Sequence, residues 1–107
     1  ASLVGLAGHI SYASSKGAVD AMTRVSALEL GKYNMRVNAV NPTDVMTPMS
    51  EWYWGREDIG GQLLEAMPLN RWATEEDCAA PIVFLLSDAS AMISGVCLPI
   101  DGGFTAV

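Results

Sequence analysis

Residues 12–40 place the strongest constraint on the fold. Between positions 12 and 30, apolar or small residues recur at Ala18, Val19, Met22, Val25, Ala27 and Leu28, the spacing of one face of a helix. Gly31 stands where a helix end favours glycine, with Lys32 beside it. The run Met35-Arg36-Val37-Asn38-Ala39-Val40 alternates and is rich in strand formers, and Asn41-Pro42 stops it. A long helix feeding directly into a short strand is half of a βαβ unit. Such units build parallel sheets covered by helices on both faces. The expectation is an α/β fold.

The flanks fit that frame. Residues 1–10 are small, apolar and glycine-containing, and read as a strand end running into a loop. Ser11 is placed to cap the long helix. Residues 43–71 change texture, with Thr, Pro, Gly, Trp and Met in weak periodicity, as in a lid or binding segment. Thr74 then stands three residues before Asp77, the spacing of a capping box. Cys78, Ile82, Val83, Leu85 and Leu86 supply an apolar face to the helix that follows, and Pro81 removes one of its internal bonds. Residues 96–100 read as a last strand, and Asp101-Gly102-Gly103 as a turn.

Composition narrows the function. Half of the 107 residues are hydrophobic and mean hydropathy is +0.26, too apolar for a disordered chain. The excess points to faces buried against something else. A net charge of −6 without a basic stripe argues against nucleic-acid binding and against an anionic membrane surface. No apolar run approaches the roughly 20 residues of a membrane span. Cys78 and Cys97 lie in apolar stretches without a CxxC pair, and His9 is the only imidazole. That set cannot furnish a zinc site, and it reads as two reduced thiols in an intracellular, cytoplasmic setting. The first residues have neither an initiating Met nor the charged start of a signal peptide. They read as a cut through the middle of a domain.

The chemistry centres on Tyr12 and Lys16. Residues i and i+4 share a helix face, about 5–6 Å apart at Cβ. A free phenol ionises near pH 10, about three units too high for acid–base work at neutrality. A neighbouring ammonium favours the phenolate. Such a phenol can protonate a carbonyl oxygen as hydride reaches the carbon, or reverse the step. The spacing alone is ordinary, since many surface helices carry a Tyr and a Lys one turn apart.

The order of further motifs raises its weight. Tyr12-Ala13-Ser14-Ser15-Lys16, Ala27-Leu28-Glu29-Leu30, Arg36-Val37-Asn38-Ala39-Val40-Asn41-Pro42, Phe84-Leu85-Leu86-Ser87-Asp88, Ser94-Gly95 and Asp101-Gly102-Gly103 follow one another along nearly the whole chain. In order and spacing this set resembles the short-chain dehydrogenase/reductase family. Residues 41–49, Trp54 and the ending Leu98-Pro99-Ile100-Asp101-Gly102-Gly103-Phe104 look most like its L-xylulose (dicarbonyl) reductase branch.

The resemblance implies a Rossmann-like, doubly wound parallel sheet, of which residues 1–107 would be the C-terminal half. The glycine-rich dinucleotide fingerprint would lie outside them. It implies an NAD(P)(H)-dependent oxidoreductase acting on a small carbonyl or alcohol, a sugar-like ketone or a dicarbonyl. NADP is the expected cofactor and NAD the alternative. Tyr12 would be the general acid/base, and Lys16 would assist it and bind the nicotinamide ribose. Pro42 and Thr43 would end the strand at the cofactor, where α/β sheets bind ligands. The Val45 backbone would meet the nicotinamide carboxamide, and Thr47 would lie near it or the phosphates. Thr43 stands where most members carry glycine.

The family's catalytic serine has two possible positions. In a gap-free alignment it falls just upstream of Ala1; with a shortened loop it is Ser2, ten residues before Tyr12. The gap-free match of the rest favours the first. His9 and Trp54 are candidate substrate contacts, against the plainer readings of a loop histidine and a lid residue packed on its own helix. Asn38 reads as a structural hydrogen-bonding residue. No metal site is expected. The helix after Tyr12 and the last strand with Phe104 correspond to surfaces through which the family forms dimers and tetramers. A competing reading, a silent member serving as a cofactor-binding or oligomerisation module, is disfavoured by the intact Tyr12/Lys16 pair. Alone, these residues are expected neither to bind dinucleotide tightly nor to reduce a carbonyl.

Overall fold

Residues 1–107 form two parallel strands and four α-helices in the computed structural model, with three of the helices in succession between the strands. Helix α1 spans Ile10–Leu30, strand β1 Ala39–Pro42, helices α2 and α3 Pro48–Trp54 and Glu57–Glu65, helix α4 Glu75–Leu86, and strand β2 Cys97–Ile100. The strands pair side by side. Ala39 N–H donates to Val96 O and Thr43 N–H to Ile100 O, the same partner offset at both ends, as a parallel ladder requires. This is the α/β arrangement expected from residues 12–40. Contacts divide the chain into two compact units, Ala1–Ala39 with Leu85–Leu98 and Val40–Phe84 with Pro99–Val107.

In the first unit, α1 ends at Leu30 with Gly31 as its C-terminal boundary residue, as the sequence implies. That residue keeps right-handed helical angles and opens a 3₁₀ turn, Gly31–Tyr33, which Asn34 ends in the left-handed conformation at φ 60°. Asparagine tolerates that region better than most residues, so the left-handed residue after the helix is Asn34, at the end of the turn, and not the glycine. The helix also starts earlier than Ser11. His9 is its N-terminal boundary residue, without a side-chain cap. Residues 1–6 form no strand.

The apolar positions of α1 face outward: Met22 is 59% exposed and Leu28 83%, whereas Asp20 and Thr23 are buried. Thr23 satisfies its hydroxyl on the Val19 carbonyl one turn back.

Residues 36–39 are tied to residues 85–97 by side chains as much as by backbone. The Arg36 guanidinium donates to the carbonyls of Leu85, Ile93 and Ser87 at 2.8, 3.2 and 3.2 Å. Asn38 donates its amide to Ile93 O and accepts from Val96 N–H, the structural role expected of it. Val37 accepts from Gly95 N–H. With the 35–38 segment held this way, regular strand pairing begins only at Ala39, four residues later than the alternation implies.

In the second unit, Thr47 caps α2 with Pro48 in its first turn. Helix α3 follows after Gly55–Arg56. Gly60 of α3 is buried, and a Cβ there would lie 2.2 Å from the Trp54 carbonyl oxygen, so only glycine lets the two turns approach. The expected cap of α4 is present, with Thr74 N–H donating to Asp77 and Asp77 N–H to the Thr74 hydroxyl. Its apolar face is another matter. Leu85 is the only buried residue of the helix, and Val83 and Leu86 are 66% and 79% exposed.

The second unit packs around Met67, 1% exposed. The Asp101-Gly102-Gly103 turn closes beside it, with Leu69 N–H donating to Gly102 O. Gly103 has φ +89° and a Cβ would meet Pro68 at 3.0 Å, so the turn requires glycine.

Arg36→Met is expected to remove about 1.5–3 kcal/mol of stability, because three carbonyls lose a charged donor at once. Arg36→Lys should recover only part, since one ammonium lacks the planar fork. Urea denaturation of the protein, with the slope unchanged, checks both.

Candidate active site

Helix α1 carries the reactive pair of the first unit. Tyr12 and Lys16 lie one turn apart, and the Lys16 ammonium sits 5.3 Å from the centroid of the Tyr12 ring, within cation–π range. Tyr12 is 53% exposed, so its phenol is open to an incoming molecule. His9 meets the same ring edge-on at 6.3 Å, and its Nδ1 is within 2.8 Å of the Ala7 carbonyl. The His9 ring is thereby oriented at the start of the helix. Ser15 turns its hydroxyl back to the Tyr12 carbonyl, which fixes the first turn. Ser2 is partly exposed in the irregular segment that precedes α1. The structure thus brings three expected residues together: His9, Tyr12 and Lys16.

The second unit holds the residues expected at the strand end. Pro42 is the last residue of β1, and Thr43 continues the ladder through its N–H to Ile100. Val45 forms a parallel bridge with Ala73, and Met46 N–H donates to Ala73 O. Thr47 is the cap of α2, with Ser50 answering it in a capping box. Burial raises the Asp44 carboxyl above its ordinary value. Trp54 ends α2, edge-on to Tyr53 at 4.9 Å and tilted against Trp72 at 6.5 Å.

An open cleft of about 330 Å³ lies in this unit, lined by Thr43, Leu69, Arg71, Asp77, Asp101 and neighbours. Its two carboxylates are both held ionised. The Arg71 guanidinium grips Asp77 through two oxygens at 2.6 and 3.1 Å and, with Thr74, holds its carboxyl far below the usual range. Burial alone would push Asp101 up. Hydrogen bonds from the Thr105 hydroxyl and from the N–H groups of Thr105 and Gly103 outweigh it and leave the carboxyl low. Burial pushes both Cys78 and Cys97 thiols up, away from the thiolate that a nucleophile would need. No group of His, Cys, Asp and Glu is arranged to hold a metal ion, and no helix is long and apolar enough to cross a membrane.

Ser50 is a polar residue that reading the sequence did not single out, and the hydrogen bonds that converge on the Asp101 carboxylate were not foreseen from its place in a turn. Thr47-Pro48-Met49-Ser50 has the spacing of a capping box, with serine in the place usually taken by glutamate or glutamine. The Asp101 pattern needs the folded 101–105 turn to be visible.

The family model described as enoyl-(acyl carrier protein) reductase matches residues 1–105. The bovine (Bos taurus) L-xylulose reductase is 49% identical over 106 residues, which is 99% of this chain and 43% of that protein. The chain therefore spans less than half the length of this relative. Two solved structures superpose closely. A short-chain type dehydrogenase/reductase from Mycobacterium ulcerans has a TM-score of 0.85 at 32% identity, over 89% of this chain and 34% of that one. A 4-hydroxyisoleucine dehydrogenase complexed with NADH has a TM-score of 0.86 at 33% identity, over 92% and 40%. The chain belongs to the short-chain dehydrogenase/reductase family. Its fold is the corresponding part of a Rossmann-like α/β domain.

The Asp77 carboxyl sits below its ordinary value of 3.8 in the folded state, so its contribution to stability is complete above that pH and is lost as the pH falls further. Asp77→Asn should therefore melt at a lower temperature than the parent at neutral pH. The gap should close as the pH drops below 3.8. Thermal denaturation across that range checks the sign, and a pH-independent gap would count against it.

Proposed function

We propose that the protein carrying this chain is an NAD(P)(H)-dependent oxidoreductase that interconverts a carbonyl and an alcohol on a small substrate. Residues 1–107 would form the C-terminal half of one short-chain dehydrogenase/reductase domain. The observation that carries the reading is the Tyr12–Lys16 pair, held one turn apart on α1 with the phenol exposed. Membership in the family supplies the reaction class. A second reading as a silent scaffold finds no comparable support in a chain that keeps both side chains.

The residues fit a nicotinamide dinucleotide by donor chemistry. Lys16 offers an ammonium and Tyr12 a hydroxyl, both suited to ribose hydroxyls. The Thr43 and Thr47 side chains and the Val45 backbone offer neutral donors and acceptors of the kind a carboxamide requires. When bound, the dinucleotide supplies or accepts the hydride. NADP is the proposed form, following the resemblance to the L-xylulose reductase branch, and NAD is the alternative.

Tyr12 donates its proton to the substrate carbonyl oxygen in reduction and takes it back in oxidation. Lys16 places positive charge beside the ring and favours the negative charge that then develops there. Ser2, or a serine preceding Ala1, would hold the same oxygen by a hydrogen bond. His9, beside Tyr12, would contact substrate hydroxyls, and Trp54 would wall the substrate side. The substrate class proposed is a sugar-like ketone or dicarbonyl, in line with the name of the bovine relative. The exposed apolar stripe of α1 and the β2–Phe104 end would join copies into a dimer or tetramer.

Tyr12→Phe in the full-length enzyme should lower kcat by roughly 10²–10⁴-fold, the range for removing a general acid, with the fold intact by circular dichroism. Steady-state oxidation of NADPH with a ketopentose tests it. Full turnover in that variant would exclude Tyr12 as the proton donor.

A further inference from the structure

We infer that Ser50 is a positioning residue for the nicotinamide end of the cofactor, acting through the Val45 carbonyl and the Thr47 amide. The inference rests on the dinucleotide reading of residues 43–47 given above, and extends it to a side chain outside that segment.

Ser50 stands at the centre of a small network. Its hydroxyl donates to the Val45 carbonyl at 2.5 Å and accepts from Thr47 N–H at 2.8 Å. The same hydroxyl also lies 3.2 Å from both the carbonyl and the hydroxyl of Thr47. Ser50 N–H in turn points to the Thr47 hydroxyl at 3.4 Å. Ser50 is half-buried, as are Val45 and Thr47, so none of these groups is freely rotating in water.

The other side of the segment is held by backbone. Val45 pairs with Ala73, and Met46 N–H donates to Ala73 O. Residues 45–47 therefore lie between two supports, the Ala73 ladder and the Ser50 hydroxyl. The ladder fixes where the segment runs. The hydroxyl fixes where the Val45 carbonyl points, whose second lone pair a carboxamide N–H would have to meet, and it holds the Thr47 N–H, already donated to Ser50, in place.

The first backbone turn of α2 is closed without the hydroxyl, which adds the Thr47 N–H half of the capping box. Ser50 N–H and Glu51 N–H both donate to the Thr47 carbonyl at 3.0 and 2.8 Å, and Pro48 presets the first turn. Removing the hydroxyl leaves that turn closed but frees the Val45 carbonyl and the Thr47 amide to reorient. The expected loss is therefore in recognition of the nicotinamide rather than in folding, and the adenine half of the cofactor should not feel it.

The test compares two ligands on the full-length enzyme by calorimetric titration. One is the reduced dinucleotide that the enzyme accepts. The other is the matching ADP-ribose, 2′-phosphorylated if that dinucleotide is NADPH, which lacks the nicotinamide. Ser50→Ala should weaken the dinucleotide about five- to tenfold, the value of one lost hydrogen bond, and leave the ADP-ribose within about twofold. Ser50→Thr, which keeps a hydroxyl, should restore dinucleotide affinity. Equal weakening of both ligands, or no change in either, would overturn the role of Ser50. A parent enzyme that binds neither ligand would reject the dinucleotide reading itself, before any substitution is made, and the inference with it.

Discussion

The Arg36 guanidinium is the interaction on which the strand geometry depends. It gathers three carbonyls, from Leu85, Ser87 and Ile93, at the point where α4 gives way to the loop before β2. Those carbonyls belong to a helix end and a turn, places where backbone acceptors lack regular partners. A single planar cation satisfies them together, which separate neutral donors would do only with more ordered groups. Asn38 then sets the next step by joining Ile93 and Val96. By Ala39 the register with β2 is fixed, and ladder pairing takes over. Strand β1 delivers the chain to Thr43 from a defined start.

Polar caps hold the segments that regular pairing does not reach. Thr47 and Ser50 close one turn, Thr74 and Asp77 a second, and Asp101 and Thr105 a third. Each relies on a short side chain returning to nearby backbone N–H groups, so each is local and tolerates variation elsewhere. The Tyr12–Lys16 pair needs only the regularity of α1. The proposed acid/base pair thus rides on a regular helix, whereas the proposed cofactor contacts ride on capped turns.

Much of this was legible in the sequence. Helix α1 announced itself by period, β2 by its apolar run, and the Thr74–Asp77 cap by spacing. The misplacements have physical causes. Gly31 stays helical because a 3₁₀ turn follows, and Asn34, not glycine, takes the left-handed angles. The 35–38 run alternates like a strand, but side chains of Arg36 and Asn38 supply part of its bonding in place of a ladder. The apolar stripe of α1 was visible, yet periodicity alone could not say that Met22, Val25 and Leu28 would lie exposed. Tyr12 and Lys16 were legible as a pair. Ser50 had only its capping-box spacing to mark it, and its bond to the Val45 carbonyl depends on how the fold turns residues 45–47.

The proposed reaction moves hydride between a nicotinamide and a carbonyl carbon. The most direct measurement incubates the full-length protein with a ketopentose and a reduced dinucleotide deuterated at C4 on the transferred face. Mass spectrometry then reads the alcohol formed. Direct hydride transfer places deuterium on the former carbonyl carbon. Product that carries no deuterium with either C4 face labelled, or no product at all across sugar-like ketones and dicarbonyls, would contradict it.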